Sequence, residues 1–256
     1  MGFLRGVVRY PSIVFVSLFF FTLWLVGAGL VFWRRRWLVP LRRWIMRSWG
    51  TCFLAVLGVR VELSGTPPRP PFVLVANHTS YLDIPLLASA AGGVFVAKHE
   101  IASWPLIGLV VRGMGTVFVN RGLRRDIPRA LGRMEGVLAL GDGVVLFPEG
   151  TSTPGDGVAP FRPSLLEAPA RGRLPVSCAA LSYRTGEGEP PARLAVSWWG
   201  DMTLLDHVWR LTKLRRIEAR LAFGDRELVN EDRKALAADL HQQVSELFAP
   251  TGRASP

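Results

Sequence analysis

The sequence predicts an α/β fold in which helices flank a mostly parallel mixed sheet, preceded by an N-terminal membrane helix segment. Short apolar runs rich in β-branched residues alternate with segments of helical periodicity, the pattern of parallel strands covered by helices. A long uncharged stretch lies near the N-terminus. The predicted strands are Val59–Leu63, Phe72–Ala76, Gly93–Ala97, Thr116–Val119, Gly143–Phe147, Val176–Tyr183, Ala192–Trp199 and Ile217–Phe223, and the clearest helical patterns are Ile127–Leu140 and Glu231–Phe248.

The N-terminal stretch from Ser12 to Trp33 contains no charged residue. As a helix it would extend about 33 Å, enough to cross a hydrocarbon core of about 30 Å. Arginines and tryptophans follow it directly, which is the composition of a lipid headgroup interface. They are Trp33, Arg34, Arg35, Arg36, Trp37, Arg42, Arg43, Trp44, Arg47 and Trp49. We therefore assign residues 1–50 to membrane attachment and residues 51–256 to a catalytic domain.

The distribution of arginines favours a cytoplasmic catalytic domain at the inner or plasma membrane of the cell. The cluster that begins at Arg34 is heavier than the pair Arg5 and Arg9 before the apolar stretch, and basic flanks stay on the cytoplasmic side. Composition leaves two arrangements open. The segment either crosses the bilayer, with Arg5 and Arg9 on the far side, or lies in one leaflet.

The whole chain is basic, with 31 Lys and Arg against 20 Asp and Glu and a net charge of +11. Such a balance suits nucleic acid, anionic lipid or an anionic substrate. The apolar stretch favours membrane lipids as partners and argues against nucleic acid. Cys52 and Cys178 form no C-x-x-C pair, and the chain has four histidines. Neither a metal site nor a disulfide framework is indicated, so no metal is expected.

The motif N-H-T-S-Y-L-D (Asn77–Asp83) directly follows a fully apolar strand. Thr79 or Ser80 is expected to N-cap a helix, which places His78 at the carboxyl edge of the sheet, where ligands bind. Asp83, five positions after His78, can hold one ring nitrogen so that the other takes a proton from an alcohol. The alternative is that Ser80 and Asp83 form only a capping box and His78 is an ordinary loop residue.

Three more predicted strands end on polar residues that would complement a histidine base. Lys98 and Arg121 can hold an anionic group such as a phosphate. Glu149 can accept hydrogen bonds from hydroxyls, and Gly150 lets a ligand approach the backbone. The alternatives are that the two cations are solvated surface residues and that Pro148-Glu149-Gly150 is an ordinary turn. The candidate binding residues are Lys98, Arg121, Glu149, Gly150 and Thr151.

Three motifs follow one another in order along the predicted domain. They are N-H-T-S-Y-L-D (Asn77–Asp83), G-T-V-F-V-N-R (Gly115–Arg121) and F-P-E-G-T-S (Phe147–Ser152), and Leu174-Pro175-Val176 comes after them. This ordered set resembles the glycerolipid acyltransferases, the family of lysophosphatidic acid and glycerol-3-phosphate acyltransferases. The resemblance covers about residues 72–176 and implies the fold of glycerol-3-phosphate acyltransferases.

The resemblance implies that His78 is the catalytic base and Asp83 its partner. Arg121 would bind a phosphate of the acceptor, Glu149-Gly150 its backbone, and Lys98 lies where members often carry a cation. The implied reaction transfers a fatty acyl group from acyl-CoA or acyl-carrier protein to the free hydroxyl of a lysophospholipid. Lysophosphatidic acid, giving phosphatidic acid, is the first acceptor to consider. No cofactor is implied, because the acyl donor is a substrate.

The chain departs from the family pattern after the third motif. Many members have F-K-x-G there, whereas this chain has Phe161-Arg162-Pro163-Ser164, which keeps the charge and lacks the glycine. The stretches Phe95–Gly108 and Phe147–Thr153 look like the subgroup that acylates lyso-ornithine lipid. That lipid carries no phosphate, so Arg121 and Lys98 would then hold another anionic group, such as a carboxylate.

Two other classes of protein stay open from the sequence. One is a lipid esterase with Ser80 as its nucleophile, although no G-x-S-x-G elbow is present. The other is a non-catalytic membrane scaffold that keeps the fold. Acyl release without an acceptor would favour the esterase, and intact function after His78→Ala would favour the scaffold.

Overall fold

The computed structural model describes residues 2–120 and 126–253, so Arg121, a predicted binding residue, lies outside the described residues. The helices are α1 (Gly2–Val31), α2 (Leu38–Leu57), α3 (Asp83–Ala90), α4 (Ile107–Gly113), α5 (Asp126–Ala139), α6 (Glu167–Arg171), α7 (Ala192–Ala195), α8 (Leu204–Lys213) and α9 (Arg233–Leu247), with 3-10 turns at Arg35–Trp37, His99–Ser103 and Pro163–Leu166. The strands are β1 (Val59–Ser64), β2 (Phe72–Ala76), β3 (Val94–Lys98), β4 (Val117–Val119), β5 (Gly143–Leu146), β6 (Val176–Thr185), β7 (Ile217–Phe223) and β8 (Gly252–Arg253).

The strands form a mixed sheet in the order β1-β7-β6-β2-β5-β3-β4, with β8 beside β6. The pairings between described strands are parallel except for β6 with β7. This topology confirms the predicted fold class. Since β2, β5, β3 and β4 are parallel neighbours, their carboxyl ends open at one edge of the sheet, the edge where ligands bind in such folds.

Helices cover both faces of β2, which explains why all five of its residues are buried. Successive side chains of a strand point to opposite faces. Phe72, Leu74 and Ala76 belong to the core that α2, α3 and α8 complete. Val73 and Val75 belong to the core beneath α5, α6 and α9. The continuous apolar run is therefore the signature of a central strand with no solvent face.

The predicted strand Ala192–Trp199 is wrong, because this segment forms the short helix α7 followed by a turn. The carbonyl oxygen of Pro191 accepts hydrogen bonds from the amides of Leu194 and Ala195. Proline has a fixed φ that suits the first turn of a helix, and this local preference overrides the apolar alternation of the segment. The turn after α7 contacts the loop that follows β2, because the Trp198 amide donates to the Thr79 carbonyl over 2.8 Å.

Helix α1 is long and apolar enough to cross a membrane, as predicted by length and composition, but it packs along the domain. Near its start, Arg9 donates a 2.6 Å hydrogen bond to the Leu214 carbonyl, and Arg5 a 3.2 Å hydrogen bond to that of Lys213. Further along, Trp24 Nε1 donates to the Gly113 carbonyl over 2.7 Å. Arg5 and Arg9 thus contact the domain directly, at the end of α8.

Helix α2 joins α1 to the sheet and runs through the predicted boundary between residues 50 and 51, so that division stays a prediction. Its arginines do not all face a headgroup layer. Arg42 and Arg43 both reach the buried carboxylate of Asp142, over 2.6 and 3.3 Å. Their side chains are only 14% and 26% exposed. These two arginines fix α2 to the start of β5, a contact between distant segments that composition does not reveal.

Candidate active site

The site begins where β2 ends, and a buried asparagine sets its backbone. Asn77 Nδ2 donates to the Leu181 carbonyl over 2.9 Å, and the Leu181 amide donates to Asn77 Oδ1 over 2.7 Å. The backbone pairing of β2 with β6 ends at Ala76. The Asn77 side-chain amide thus takes the place of the next pair of backbone hydrogen bonds. This fixed strand end presents the next residue, His78, at the carboxyl edge of the sheet.

His78 and Asp83 are in direct contact, as their spacing suggested. His78 Nδ1 lies 2.7 Å from Asp83 Oδ2. The Asp83 side chain is fully buried, whereas that of His78 is 20% exposed. No described residue of the chain hydrogen-bonds to His78 Nε2. A carboxylate on Nδ1 fixes the ring orientation and leaves Nε2 as the nitrogen that can exchange a proton with a substrate.

The local structure around Asp83 differs from the predicted N-cap. Helix α3 begins at Asp83 itself, and no side chain caps its start. The carboxylate instead turns back, and Asp83 Oδ2 accepts hydrogen bonds from the amides of Thr79 and Ser80 over 2.7 and 3.0 Å. The helix thus begins later than the predicted cap implies, although Ser80 Oγ accepts a 3.2 Å hydrogen bond from the Leu82 amide in the turn before it. The loop amides need an acceptor, and the buried carboxylate supplies it.

Sequence reasoning missed Tyr183, which completes the surroundings of Asp83. The fully buried Tyr183 hydroxyl donates a 2.6 Å hydrogen bond to Asp83 Oδ1. Burial is the main cause that raises the pKa of Tyr183 well above 10, and the charge of Asp83 adds to it. The sequence offers one indication of this contact, which is that Tyr183 ends a continuous apolar strand. A hydroxyl buried there needs a hydrogen-bond partner.

The loop after β5 closes over the other side of His78. The Phe147 ring stacks on the imidazole, with centroids 4.2 Å apart and planes 16° from parallel. The amide and hydroxyl of Thr153 both donate to the His78 carbonyl, over 2.9 and 3.2 Å. Gly150, with φ of +83°, forms the turn, and its amide donates to the Phe147 carbonyl over 3.1 Å. Only glycine adopts such a φ at little cost.

Glu149 lies inside this loop rather than on its surface and is 3% exposed. The Ala159 amide donates to Glu149 Oε1 over 3.3 Å, and Oε2 has no hydrogen-bond partner among the described residues. Burial raises the pKa of Glu149 to about 8, the amides of His78 and Ala159 oppose that shift, and Asp83 adds to it. At neutral pH the side chain is therefore mainly a neutral acid, which can donate as well as accept a hydrogen bond.

Two further candidates, Lys98 and Thr151, are exposed among the described residues. Lys98 is exposed at the end of β3. That strand lies two positions from β2 in the sheet, which corresponds to about 10 Å. Thr151 is exposed beside Gly150. The roles of Lys98, Arg121, Glu149, Gly150 and Thr151 in binding stay predictions.

Ser80 is placed unfavourably for a nucleophile. It is fully buried, and its hydroxyl donates a 2.7 Å hydrogen bond to the Val196 carbonyl. The same oxygen accepts from the Leu82 amide over 3.2 Å. The hydroxyl proton is thus directed to a backbone carbonyl and not to His78, which argues against the esterase alternative.

An α/β sheet that presents a histidine–aspartate pair at its carboxyl edge has a geometry that suits general-base catalysis. A family model described as acyltransferase matches residues 58–182. The chain belongs to the acyltransferase family, which confirms the family and the enzyme class predicted from its motifs.

Curated relatives support this assignment over most of their length. A lyso-ornithine lipid O-acyltransferase from Rhizobium meliloti is 35% identical over 216 residues, 80% of this chain and 73% of that protein. A 1-acyl-sn-glycerol-3-phosphate acyltransferase from Neisseria meningitidis serogroup B is 31% identical over 205 residues, 78% of this chain and 79% of that protein. The crystal structure of the LPA acyltransferase PlsC from Thermotoga maritima shares the fold, with a TM-score of 0.56, 22% identity, and coverage of 97% of this chain and all of that one.

Proposed function

We propose that this protein transfers a fatty acyl group from acyl-CoA or acyl-carrier protein to the free hydroxyl of a lysophospholipid. The observation that carries the proposal is the 2.7 Å contact between His78 Nδ1 and the buried carboxylate of Asp83, with Nε2 available on a partly exposed ring. Lysophosphatidic acid, giving phosphatidic acid, is the leading acceptor.

The reaction proceeds by direct attack. His78 Nε2 removes the proton from the acceptor hydroxyl as that oxygen attacks the thioester carbonyl carbon. Asp83 stabilises the imidazolium that forms. The tetrahedral intermediate then expels the thiolate, which takes the proton back from His78, so the enzyme returns to its starting state with a new ester and a free thiol. The general-base step contributes about 10²–10⁴ in rate, and positioning of the two substrates contributes much of the remainder.

Residues at the ends of the other strands are assigned to bind the polar groups of the acceptor. Lys98 and Arg121 bind its anionic group, and the Glu149–Thr151 turn binds its hydroxyls and backbone. O-acylation of lyso-ornithine lipid is the second candidate, because relatives with that name are 35% and 37% identical to this chain, against 31% for the glycerophosphate enzymes. In that case the two cations bind a carboxylate.

We place the protein on the cytoplasmic side of the cell membrane, with α1 lying in one leaflet. The contacts of Arg5 and Trp24 with the domain are separated by about 28 Å of helix, close to the roughly 30 Å thickness of a hydrocarbon core. Contact with the domain along that length supports the one-leaflet arrangement. Its outward side chains are apolar and exposed, which suits lipid contact. They include Leu4, Val8, Phe15, Leu18, Phe19 and Leu25.

The decisive assay uses the purified full chain in detergent. Lysophosphatidic acid and lyso-ornithine lipid are offered in parallel, each with acyl-CoA and with acyl-carrier protein, and the ester product is measured. His78→Ala should abolish transfer, whereas His241→Ala on α9 should not. Transfer that survives His78→Ala, or thioester hydrolysis without acceptor that depends on Ser80, would contradict the proposal. Arg121→Ala should raise the KM for the acceptor.

A tag at each end of the chain tests the one-leaflet arrangement. Both tags should be accessible from the cytoplasmic face of membrane vesicles. The N-terminal tag lies at the start of α1, which in this arrangement stays on the same side of the bilayer as the rest of the chain. Accessibility of the N-terminal tag only from the opposite face would show that α1 crosses the bilayer.

A further inference from the structure

Tyr183 holds the Asp83 oxygen that does not touch His78. Its hydroxyl donates to Asp83 Oδ1 over 2.6 Å, while the imidazole contacts Oδ2 over 2.7 Å. We propose that Tyr183 is a positioning residue that fixes the Asp83 carboxylate and sets how strongly it holds a proton on His78. This inference rests on the proposed function, in which His78 is the general base.

Strand β6 gives Tyr183 a rigid base from which to act. This strand continues past the end of β2, and the Asn77 side chain clamps it through both backbone groups of Leu181. Tyr183 lies two residues further along, on the same face of the strand. The strand is therefore tied to the residue before His78 and, through Tyr183, to the partner of His78. Both halves of the catalytic pair thus take their position from one strand.

The tyrosine is the main hydrogen-bond donor to Asp83 Oδ1. The other donor to that oxygen, the Thr79 hydroxyl, lies 3.5 Å away, beyond the usual range for an O–H donor. Burial keeps the Tyr183 phenol protonated, so it donates across the working pH range. The two oxygens of a carboxylate share one charge, and a donor on Oδ1 therefore reduces the negative charge that Oδ2 presents to the imidazole.

Among the described residues, Glu149 on the loop after β5 interacts electrostatically with Asp83. Arg162 is the charged residue beside that loop, and its Nε donates to the Glu149 carbonyl over 3.2 Å. Lys98, at the end of β3, is the nearest cation among the described candidates in strand order, and it is exposed. Changes at Tyr183 leave these groups in place. A difference in pH dependence between the wild type and a Tyr183 variant therefore reports the lost hydroxyl.

Tyr183→Phe tests the proposal in the purified full chain, with acyl-CoA and lysophosphatidic acid as substrates. Without this hydrogen bond the Asp83 carboxylate is no longer fixed against the imidazole, and the lost orientation should lower kcat about tenfold, with the KM for the acceptor unchanged. The acid limb of the pH–rate profile should move to higher pH by about half a unit, because the carboxylate then holds a proton on His78 more strongly. Tyr81→Phe is the matched control. It removes a hydroxyl that contacts His207 Nδ1 at 3.0 Å, and its acid limb should match the wild type.

A second variant keeps the test decisive if Tyr183→Phe does not fold. The chain has three tyrosines, so Tyr10→Phe/Tyr81→Phe leaves Tyr183 as the sole site for biosynthetic replacement by fluorotyrosine. The more acidic phenol donates a stronger hydrogen bond with only a small increase in volume. The acid limb should then move to lower pH, opposite to the shift from Tyr183→Phe, whereas a purely structural tyrosine would move neither.

Two results separate failure of this inference from failure of the proposed function. An active wild type whose kcat and acid limb are unchanged in folded Tyr183→Phe, or unchanged by fluorotyrosine, would overturn the role of Tyr183. A wild type that acylates no lysolipid, or a fully active His78→Ala, would instead overturn the general-base function on which this role depends.

Discussion

Replacement of Asp83 by asparagine separates the orientation of His78 from its electrostatic stabilisation. The carboxylate is fully buried, and Oδ2 accepts from the imidazole and from the amides of Thr79 and Ser80. The asparagine carbonyl can take the place of Oδ2 and keep these three contacts. Its NH₂ group then faces the oxygen of Tyr183, which can accept a hydrogen bond. The variant should therefore fold with the ring held in place and the negative charge removed.

The expected loss follows from the ion pair that forms during the reaction. In the transition state, the imidazolium and the carboxylate have charge centres about 4 Å apart, and at an effective dielectric constant of about 20 their attraction is worth about 4 kcal/mol. Removal of the charge should lower kcat by about 10³-fold. The KM for the acceptor should change little, because the substrate does not touch Asp83.

The assay is steady-state acyl transfer in detergent, followed through release of the free thiol, with thermal unfolding as the check on folding. In the proposed mechanism His78 and Asp83 act as a unit, so the double variant His78→Ala/Asp83→Asn should be no slower than His78→Ala alone. A folded Asp83→Asn that keeps more than a tenth of the wild-type kcat would refute the assignment of Asp83 as the electrostatic partner.

Three further predictions concern the stability of the scaffold around the site, measured as Tm in detergent. Burial in the folded state raises the pKa of Glu149 from 4.5 to about 8. Between these two pH values the folded protein therefore keeps a proton on Glu149 that the unfolded chain releases. The stability of the fold should fall as pH rises through this interval, and Glu149→Gln should abolish that fall. A Tm difference between the wild type and Glu149→Gln that stays the same at every pH would contradict the raised pKa of Glu149. Asp142→Asn leaves two arginines of α2 without their buried partner, which should cost about 3–5 kcal/mol and lower the Tm by roughly 10 °C; an unchanged Tm would show that the pair does not hold α2. A Cβ at Gly50 would lie 2.9 Å from the amide nitrogen of Ser89 on α3, so Gly50→Ala should destabilise the protein by about 1–3 kcal/mol. Gly136 has open space around it. Gly136→Ala should therefore stabilise the protein by up to about 1 kcal/mol.

Local patterns predicted the centre of the sheet well. The runs that became β2, β3, β4 and β5 are short, apolar and bounded by polar residues, and each lies within a residue or two of its predicted bounds. A strand buried on both faces has few alternatives, since any other conformation would expose the same apolar surface. The predicted strand Ala192–Trp199 failed because there a proline-initiated turn, a feature of only a few residues, decided the backbone.

The N-terminal segment shows the limit of composition. Length and hydropathy correctly indicated a long apolar helix, but they carry no information on what lies beside it. The partners of Arg5 and Arg9 are backbone carbonyls at the end of α8, and those of Arg42 and Arg43 lie at the start of β5. Such contacts join distant parts of the chain, and a charge count assigns these arginines to the membrane surface by default.

The sequence by itself determined the contact between His78 and Asp83, because they are five positions apart and a strand end followed by a helix brings that spacing together. Only the tertiary structure decided what surrounds the pair. Tyr183 reaches Asp83 from a distant strand, and Glu149 turns inward and becomes a neutral acid. The physical reason is that hydrogen-bond geometry between near neighbours is set by local backbone conformation. Burial and proton affinity, in contrast, depend on every segment that packs against a group.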